Sequence, residues 1–239
     1  MSHIVLAISG RPIHLNPAAE LADRVLLPGD PQRALTMAQA LLEDPRMFNA
    51  RRGLWGYTGT APDGASVTIQ STGMGGPSAA IVVEELIDLG ARTLIRTGTC
   101  GALDGRLELG QLIAVAGALA DDGASRALGA TTSAAPDAAL TEALERAGGG
   151  AAVTVVSTDL FYDPRPGKQE AWRQAGAAAV EMEAATILTS AARRGVRAAC
   201  LLLVSDVLDR DGRRRLRDDE LEAGGKRLGE VALRSLAER

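Results

Sequence analysis

The hydrophobic pattern of this chain alternates short apolar runs with longer segments of helical period. Residues 1–20 show no clear period and read as an arm. Arg24-Val25-Leu26-Leu27 is a short apolar run that ends at Pro28-Gly29-Asp30-Pro31, a turn signal. Ala34, Met37, Ala38, Leu41 and Leu42 then fall on one helical face. Residues 54–72 predict two strands around Pro62-Asp63-Gly64, the second being Val67–Ser71. Gly73-Met74-Gly75-Gly76-Pro77-Ser78 leads into a helix from about Ser78 to Leu89, closed by Gly90. Thr93–Arg96 and Leu112–Val115 read as strands, with a turn at Thr97–Gly101 and a polar loop over 120–135. A helix is expected over Ala138–Ala147, ended by Gly148-Gly149-Gly150, and a buried strand at Val153–Val156. Ala184–Arg194 reads as a helix stopped at Gly195. Ala198–Val204 is wholly apolar, as in a sheet covered on both faces. A charged closing helix is expected over Leu216–Leu236. Strands alternating with helices predict an α/β fold with a mixed, mostly parallel sheet. With no internal repeat or linker in 239 residues, the expectation is a single domain over 1–239.

Composition sharpens this picture at a few points. Aromatic residues are only 3%, so the core must be aliphatic. The formal net charge of −4 argues against a nucleic-acid binder, whose footprint is a basic patch. Cys100 and Cys200 have no metal-ligand spacing, and His3 and His14 sit in no metal motif, so no metal is expected. The N-terminus lacks a basic leader, and no apolar run reaches the roughly 18 residues of a membrane span. The expectation is a cytoplasmic protein with no membrane partner.

In α/β folds ligands bind at the carboxyl ends of strands, and four candidate turns follow the runs ending near Leu27, Ser71, Arg96 and Val204. Gly29 can free backbone N–H groups at a helix N-terminus to hold an anion, with Arg33 forking onto it. The same segment also reads as a plain turn with an exposed arginine. Gly73–Gly76 is not a P-loop, since no Gly-Lys-Ser/Thr follows. Its glycines suit either close approach to a ligand or tight helix packing. Arg96 ends an apolar strand, where its charge is costly unless an anion or carboxylate meets it. Arg33, Arg96 and Thr99 together suggest phosphate. Glu181 and Glu183 either favour the dipole of the helix that follows or accept a sugar diol. Ser205-Asp206 follows the apolar strand, where desolvation would raise the Asp206 pKa and suit it to general-acid work; a capping role is the alternative.

Taken in order, seven motifs resemble the nucleoside phosphorylase family that has hexameric bacterial members. They are Pro28–Arg33, Asn49–Gly53, Gly73–Ser78, Ile95–Ala102, Ser157–Tyr162, Val180–Ala185 and Val204–Asp206. The resemblance runs from about residue 14 to the C-terminus. It implies a single α/β domain around a mixed, barrel-like sheet flanked by helices. It also implies phosphorolysis of a nucleoside to free base and pentose 1-phosphate, with inorganic phosphate as co-substrate and no other cofactor. By the same resemblance Gly29, Arg33, Arg96 and Thr99 bind phosphate, and Arg52 reaches it from a neighbouring subunit. Met74, Met182 and Glu183 hold the ribose, with Glu181 nearby. Cys100, Gly101, Phe161 and Val180 line the base pocket. Asp206, beside Ser205, protonates a purine at N7. The family's N-terminal histidine, which enters a neighbour's site, has its candidate in His14. Its purine enzymes carry an arginine on the last helix that assists the acid; Arg213, Arg214, Arg215 and Arg217 are available here. A homo-oligomer, a hexamer built from dimers, is implied as well.

Uracil has no N7, so an acid at Asp206 favours purine substrates over uridine. The Gln-x-Arg pair that uridine phosphorylases share after Phe-Tyr is absent after Phe161-Tyr162. A preference for methylthioadenosine stays open. A nucleoside hydrolase would not need the phosphate arginines, and a non-catalytic nucleoside-binding protein would not need the acid.

Overall fold

A computed structural model describes residues 12–103, 105–209 and 212–237 of the chain. Residues 1–11 of the expected arm lie outside the described residues. Among those described, eleven strands form one sheet. The first half of the chain contributes β1 (Arg24–Leu27), β2 (Glu43–Asn49), β3 (Gly56–Thr60), β4 (Ser66–Gln70) and β5 (Thr93–Ala102). The second half contributes β6 (Leu112–Asp121), β7 (Ser133–Ala134), β8 (Ala152–Thr158), β9 (Ala179–Glu181), β10 (Arg197–Asp209) and β11 (Gly212–Arg215). The helices are α1 (Pro31–Leu41), α2 (Gly76–Asp88), α3 (Gly123–Ala127), α4 (Ala138–Leu144), α5 (Lys168–Gln174), α6 (Ala184–Arg194) and α7 (Asp218–Ala237).

The sheet order is β11-β10-β6-β8-β9-β5-β1-β4-β3-β2, with β7 beside β6. Because β10 also pairs with β5, strands β10, β6, β8, β9 and β5 close into a ring, and the fold is the expected mixed, barrel-like α/β sheet. Alternation along β10 divides the core. Leu202 and Val204 pack into a cluster with α2 and α6, while Leu201 and Leu203 face a second cluster with α1, α4 and α7. Two glycines let α7 come close. A Cβ on Gly224 would stand 2.5 Å from Leu203 Cδ2, and one on Gly229 would stand 2.4 Å from Leu41 Cδ1.

Local chemistry explains the ends of the helices that face the site. The Asp30 carboxylate accepts from Gln32 N at 2.9 Å, and Pro31 opens α1. Glu181 Oε2 accepts from the backbone N–H groups of Glu183 and Ala184, both at 2.9 Å, at the start of α6. Gly195, left-handed at φ 65°, ends that helix.

Several expectations are corrected. Thr97–Gly101 is not a turn but the interior of β5, because parallel pairing with β10 runs on through Ala102. Ser205-Asp206 does not follow the apolar strand but lies within β10, at a bulge where Val204 pairs with Cys100 and Asp206 with Gly101. The 120–135 segment is not all loop, since β6 reaches Asp121 and α3 and β7 follow. Glu181 and Glu183 are not in the first turn of a helix: Glu181 ends β9, and Glu183 is the N-cap of α6. The closing helix starts at Asp218, so Arg213, Arg214 and Arg215 belong to β11 and Arg217 precedes α7. The strands β2, β9 and β11 and the helix α5 had no clear sequence signal.

Candidate active site

One cavity of about 1110 Å³ opens at the carboxyl end of β1, along the second half of β5 and the neighbouring β9, and beside the β10 bulge. Of the sixteen predicted site residues, fifteen line it, and His14 is the exception. At one end the β1–α1 turn presents Gly29 and Arg33, and β5 presents Arg96 and Thr99. Arg52 lies on the wall of the same cavity, exposed and in left-handed backbone at φ 58°. At the other end stand Ser205 and Asp206, near Cys100, Gly101, Val180 and Phe161. Met74, Met182 and Glu183 also line the cavity.

Arg96 organises the anionic and cationic groups. Its side chain is 3% exposed. Nη2 lies 2.6 Å from Glu183 Oε2, and Nε lies 2.9 Å from Glu181 Oε2 with its N–H pointing off that acceptor. Nη1 is buried and has no hydrogen-bond partner among the described residues. Burial opposes the charge of Arg96, but the Glu183 and Glu181 carboxylates outweigh it and raise its pKa. Gly98 makes this possible, because a Cβ there would meet Arg96 Nη2 at 2.6 Å. Burial lowers the pKa of Arg33, with Asp30 opposing and Arg96 adding to the effect. Two guanidinium groups near each other, one with a bare buried N–H, form a place for an anion.

Glu183 is held on both oxygens. Oε1 accepts the Gly75 N–H at 2.5 Å, and Oε2 takes Arg96. Burial pushes its carboxyl upward in pKa, against the pull of Arg96. Ser157 Oγ donates to Glu181 and fixes it from below. Neither Gly75 nor Ser157 was singled out from sequence, although both lie within the motifs quoted above.

Asp206 is buried at 5% exposure. Ser205 Oγ donates to its Oδ2 at 2.7 Å, and Arg213 Nε donates to its Oδ1 at 2.7 Å. The Arg213 guanidinium also lies 4.4 Å from the centre of the Phe161 ring. A cation from β11 therefore faces the Asp206 carboxylate. Arg213 was one of four candidate arginines, and the β10–β11 pairing, with Asp206 opposite Arg215 and Leu208 opposite Arg213, brings it there.

His14 points elsewhere. Its Nδ1 lies 2.6 Å from Glu85 Oε1, and the Glu85 carboxylate also accepts from the N–H groups of Ile13, His14 and Leu15. Glu85 thus ties the arm to α2. Among the described residues, no group of three or more His, Cys, Asp or Glu side chains is placed to hold a metal ion. No helix there is long and apolar enough to cross a membrane.

A family described as Phosphorylase superfamily matches residues 23–238. The chain is 40% identical over 195 residues to a DeoD-type purine nucleoside phosphorylase of Geobacillus kaustophilus, covering 78% of this chain and 82% of that relative. It is 41% identical over 205 residues to a DeoD-type purine nucleoside phosphorylase of Jannaschia sp., covering 82% and 87%. Among solved structures, a uridine phosphorylase from Vibrio fischeri complexed with 6-hydroxy-1-naphthoic acid superposes with a TM-score of 0.81. That match has 26% identity and covers 92% of this chain and 93% of the other.

Proposed function

The chain belongs to the phosphorylase superfamily, and from that premise we propose that it catalyses the phosphorolysis of purine nucleosides. The observation that carries the reading is one cavity with an arginine pair at one end and a buried, hydrogen-bonded aspartate at the other. Phosphate binds against Arg33, the free Nη1 of Arg96, Thr99 and the backbone at Gly29. Arg52 closes over it, in the family manner from a neighbouring subunit. The ribose lies across Met74, Met182 and Glu183, near Glu181. The base rests against Phe161 and Val180, over Cys100 and Gly101.

The bond from the base N9 to C1′ breaks as a phosphate oxygen bonds C1′ on the opposite face. Asp206 gives its proton to N7, which quenches the charge of the leaving purine, and Ser205 orients the carboxyl. Asp206 regains a proton through solvent from monohydrogen phosphate, so the products are neutral base and ribose 1-phosphate dianion. Arginines hold phosphate in a near-attack position. No metal or organic cofactor takes part, because guanidinium groups supply the positive charge. Residues such as Met74 and Tyr162, each 88% exposed, with Phe161 and Leu160, make an apolar rim of a kind that favours a subunit interface. A dimer-based hexamer follows from the resemblance, with His14 presented to a neighbour. Two free buried cysteines suit a reducing cytoplasm.

The similarity to a uridine phosphorylase makes uridine the competing substrate. The Asp206 site favours purines, since uracil offers no N7 to protonate. A panel of inosine, guanosine, adenosine, methylthioadenosine and uridine, with and without phosphate, tests the reading. Purine release that requires phosphate is expected. Release that does not depend on phosphate contradicts phosphorolysis, and cleavage of uridine alone contradicts the purine assignment.

A further inference from the structure

Arg51 and Arg52 are neighbours in sequence and both exposed, yet they face different ways. Arg52 lines the cavity together with Gly53 and Leu54. Arg51 does not; its Nη1 donates to the Ile13 carbonyl of the arm at 3.0 Å. The turn that parts them is left-handed at two successive residues, Arg52 at φ 58° and Gly53 at φ 70°. A residue with a Cβ keeps that conformation only where its surroundings fix it.

The side chain of Asn49, fully buried at the end of β2, does the fixing. Its Oδ1 accepts from Arg51 N at 3.2 Å and from Asn16 N of the arm at 2.9 Å. Its Nδ2 donates to the Leu54 carbonyl at 2.5 Å and to that of Arg51 at 3.4 Å. An amide carries two donors and one oxygen with two lone pairs, so this one is fully used within the turn and the arm. Two further contacts make the frame rigid. Gln70 Nε2 of β4 also donates to the Leu54 carbonyl, at 3.0 Å. The Glu85 carboxylate of α2 accepts from the N–H groups of Ile13, His14 and Leu15.

Resting on the phosphorolysis reading, in which Arg52 meets phosphate, we propose that Asn49 is a positioning residue for that reaction: it locks the left-handed turn that aims Arg52 at the phosphate. Asn49 lies outside the cavity lining, so its effect passes through Arg52. A guanidinium on a loosened turn is in place for only a fraction of the time, and phosphate affinity falls with that fraction. The argument holds whether Arg52 serves its own site or a neighbour's, because one chain carries both residues.

The test is a double-mutant cycle read on phosphate. The KM values for phosphate and for inosine are measured in the wild type, Asn49→Ala, Arg52→Ala and the double variant, each with a thermal melt. Arg52→Ala should raise the phosphate KM about 10- to 100-fold, the loss of a charge-assisted bond. Asn49→Ala should raise it about 5- to 50-fold and leave the inosine KM within about twofold. In the Arg52→Ala background it should change the phosphate KM by less than about twofold, since its route of action is gone. Arg51→Ala removes an exposed tie between the turn and the arm, and should raise the phosphate KM about two- to fivefold, again only where Arg52 is present. Additive losses in the double variant, or equal losses for phosphate and inosine, are the mark of a merely structural residue and overturn the proposal. If Asn49→Ala does not fold, an unchanged phosphate KM in Arg51→Ala overturns it. An Arg52→Ala protein with unchanged phosphate KM also overturns it and leaves phosphorolysis intact. Base release by the wild type without phosphate overturns that reading, and the proposal with it.

Discussion

At the residue scale the site is built on compensated charge. Arg96 lies between Glu181 and Glu183, so its first task is to let two buried carboxylates coexist. Removing one partner of a buried pair costs about 3–5 kcal/mol. Arg96→Gln should therefore lower the melting temperature clearly as well as activity, which a thermal melt beside steady-state kinetics would separate. Arg33 makes no ion pair among the described residues and is the cleaner probe. Arg33→Ala should raise the phosphate KM and cut kcat/KM by about 10- to 150-fold, the loss of a charge-assisted bond of about 1.5–3 kcal/mol, with little change in melting. Unchanged phosphate kinetics in a folded Arg33→Ala protein would remove Arg33 from the phosphate site. The cost of burying Arg96 was legible in sequence, because a charge ends an apolar run. Its partners were not, since they stand 85 and 87 residues further along and become neighbours only when β9 packs antiparallel beside β5. Arg213 could be narrowed only to a group of four, because nothing in an Arg-rich segment marks which side chain a hairpin will turn inward.

At the element scale, β5 and β10 carry the site between them. Their pairing extends past the apolar residues that marked them as strands, and the bulge at Ser205 re-aims Asp206 into the cavity. Sequence pattern finds the apolar part of such strands. It misses Thr97–Gly101 and Ser205–Asp206, where polar and glycine residues stay in the ladder because the partner strand satisfies their backbone. The short β9 and the exposed β2 and β11 have too little burial to leave an alternating signature. The other side of the sheet is held by Arg24 of β1. It bonds Asp63 in the β3–β4 turn through Nη1 at 2.7 Å and Nη2 at 3.1 Å, and reaches the Ser66 and Leu236 carbonyls. Arg24 holds the Asp63 carboxyl down from 3.8 to about 2, chiefly through its hydrogen bonds. A lowered folded value means that the contribution is complete above about pH 4 and is lost as pH falls toward 2. Because Asp63 is exposed, the contribution is about 0.2–1 kcal/mol. Asp63→Asn should reduce stability by that amount at neutral pH and flatten its decline between pH 4 and 2, as read by urea unfolding. An unchanged acid limb would show that the pair contributes nothing.

At the scale of the whole molecule, the fold gathers residues from all seven motifs around one cavity, so the motif order in sequence carried most of the site. The resemblance assigns Arg52 to a neighbouring subunit's site. Its place on the cavity wall of its own chain, beside an exposed apolar rim, lets assembly decide its partner. If it serves a neighbour, subunits bearing Arg52→Ala mixed with subunits bearing Asp206→Asn should regain activity, because one hybrid site recovers both groups. Mixtures as inactive as their components would place Arg52 in its own site. The central claim is that Asp206 drives departure of a purine by protonating N7. It is tested most directly by the rates of wild type and Asp206→Asn on inosine and on 7-methylguanosine, whose base already carries the positive charge. The account predicts a loss of about 10²–10⁴-fold on inosine and near wild-type cleavage of 7-methylguanosine. An equal loss on both nucleosides would contradict it.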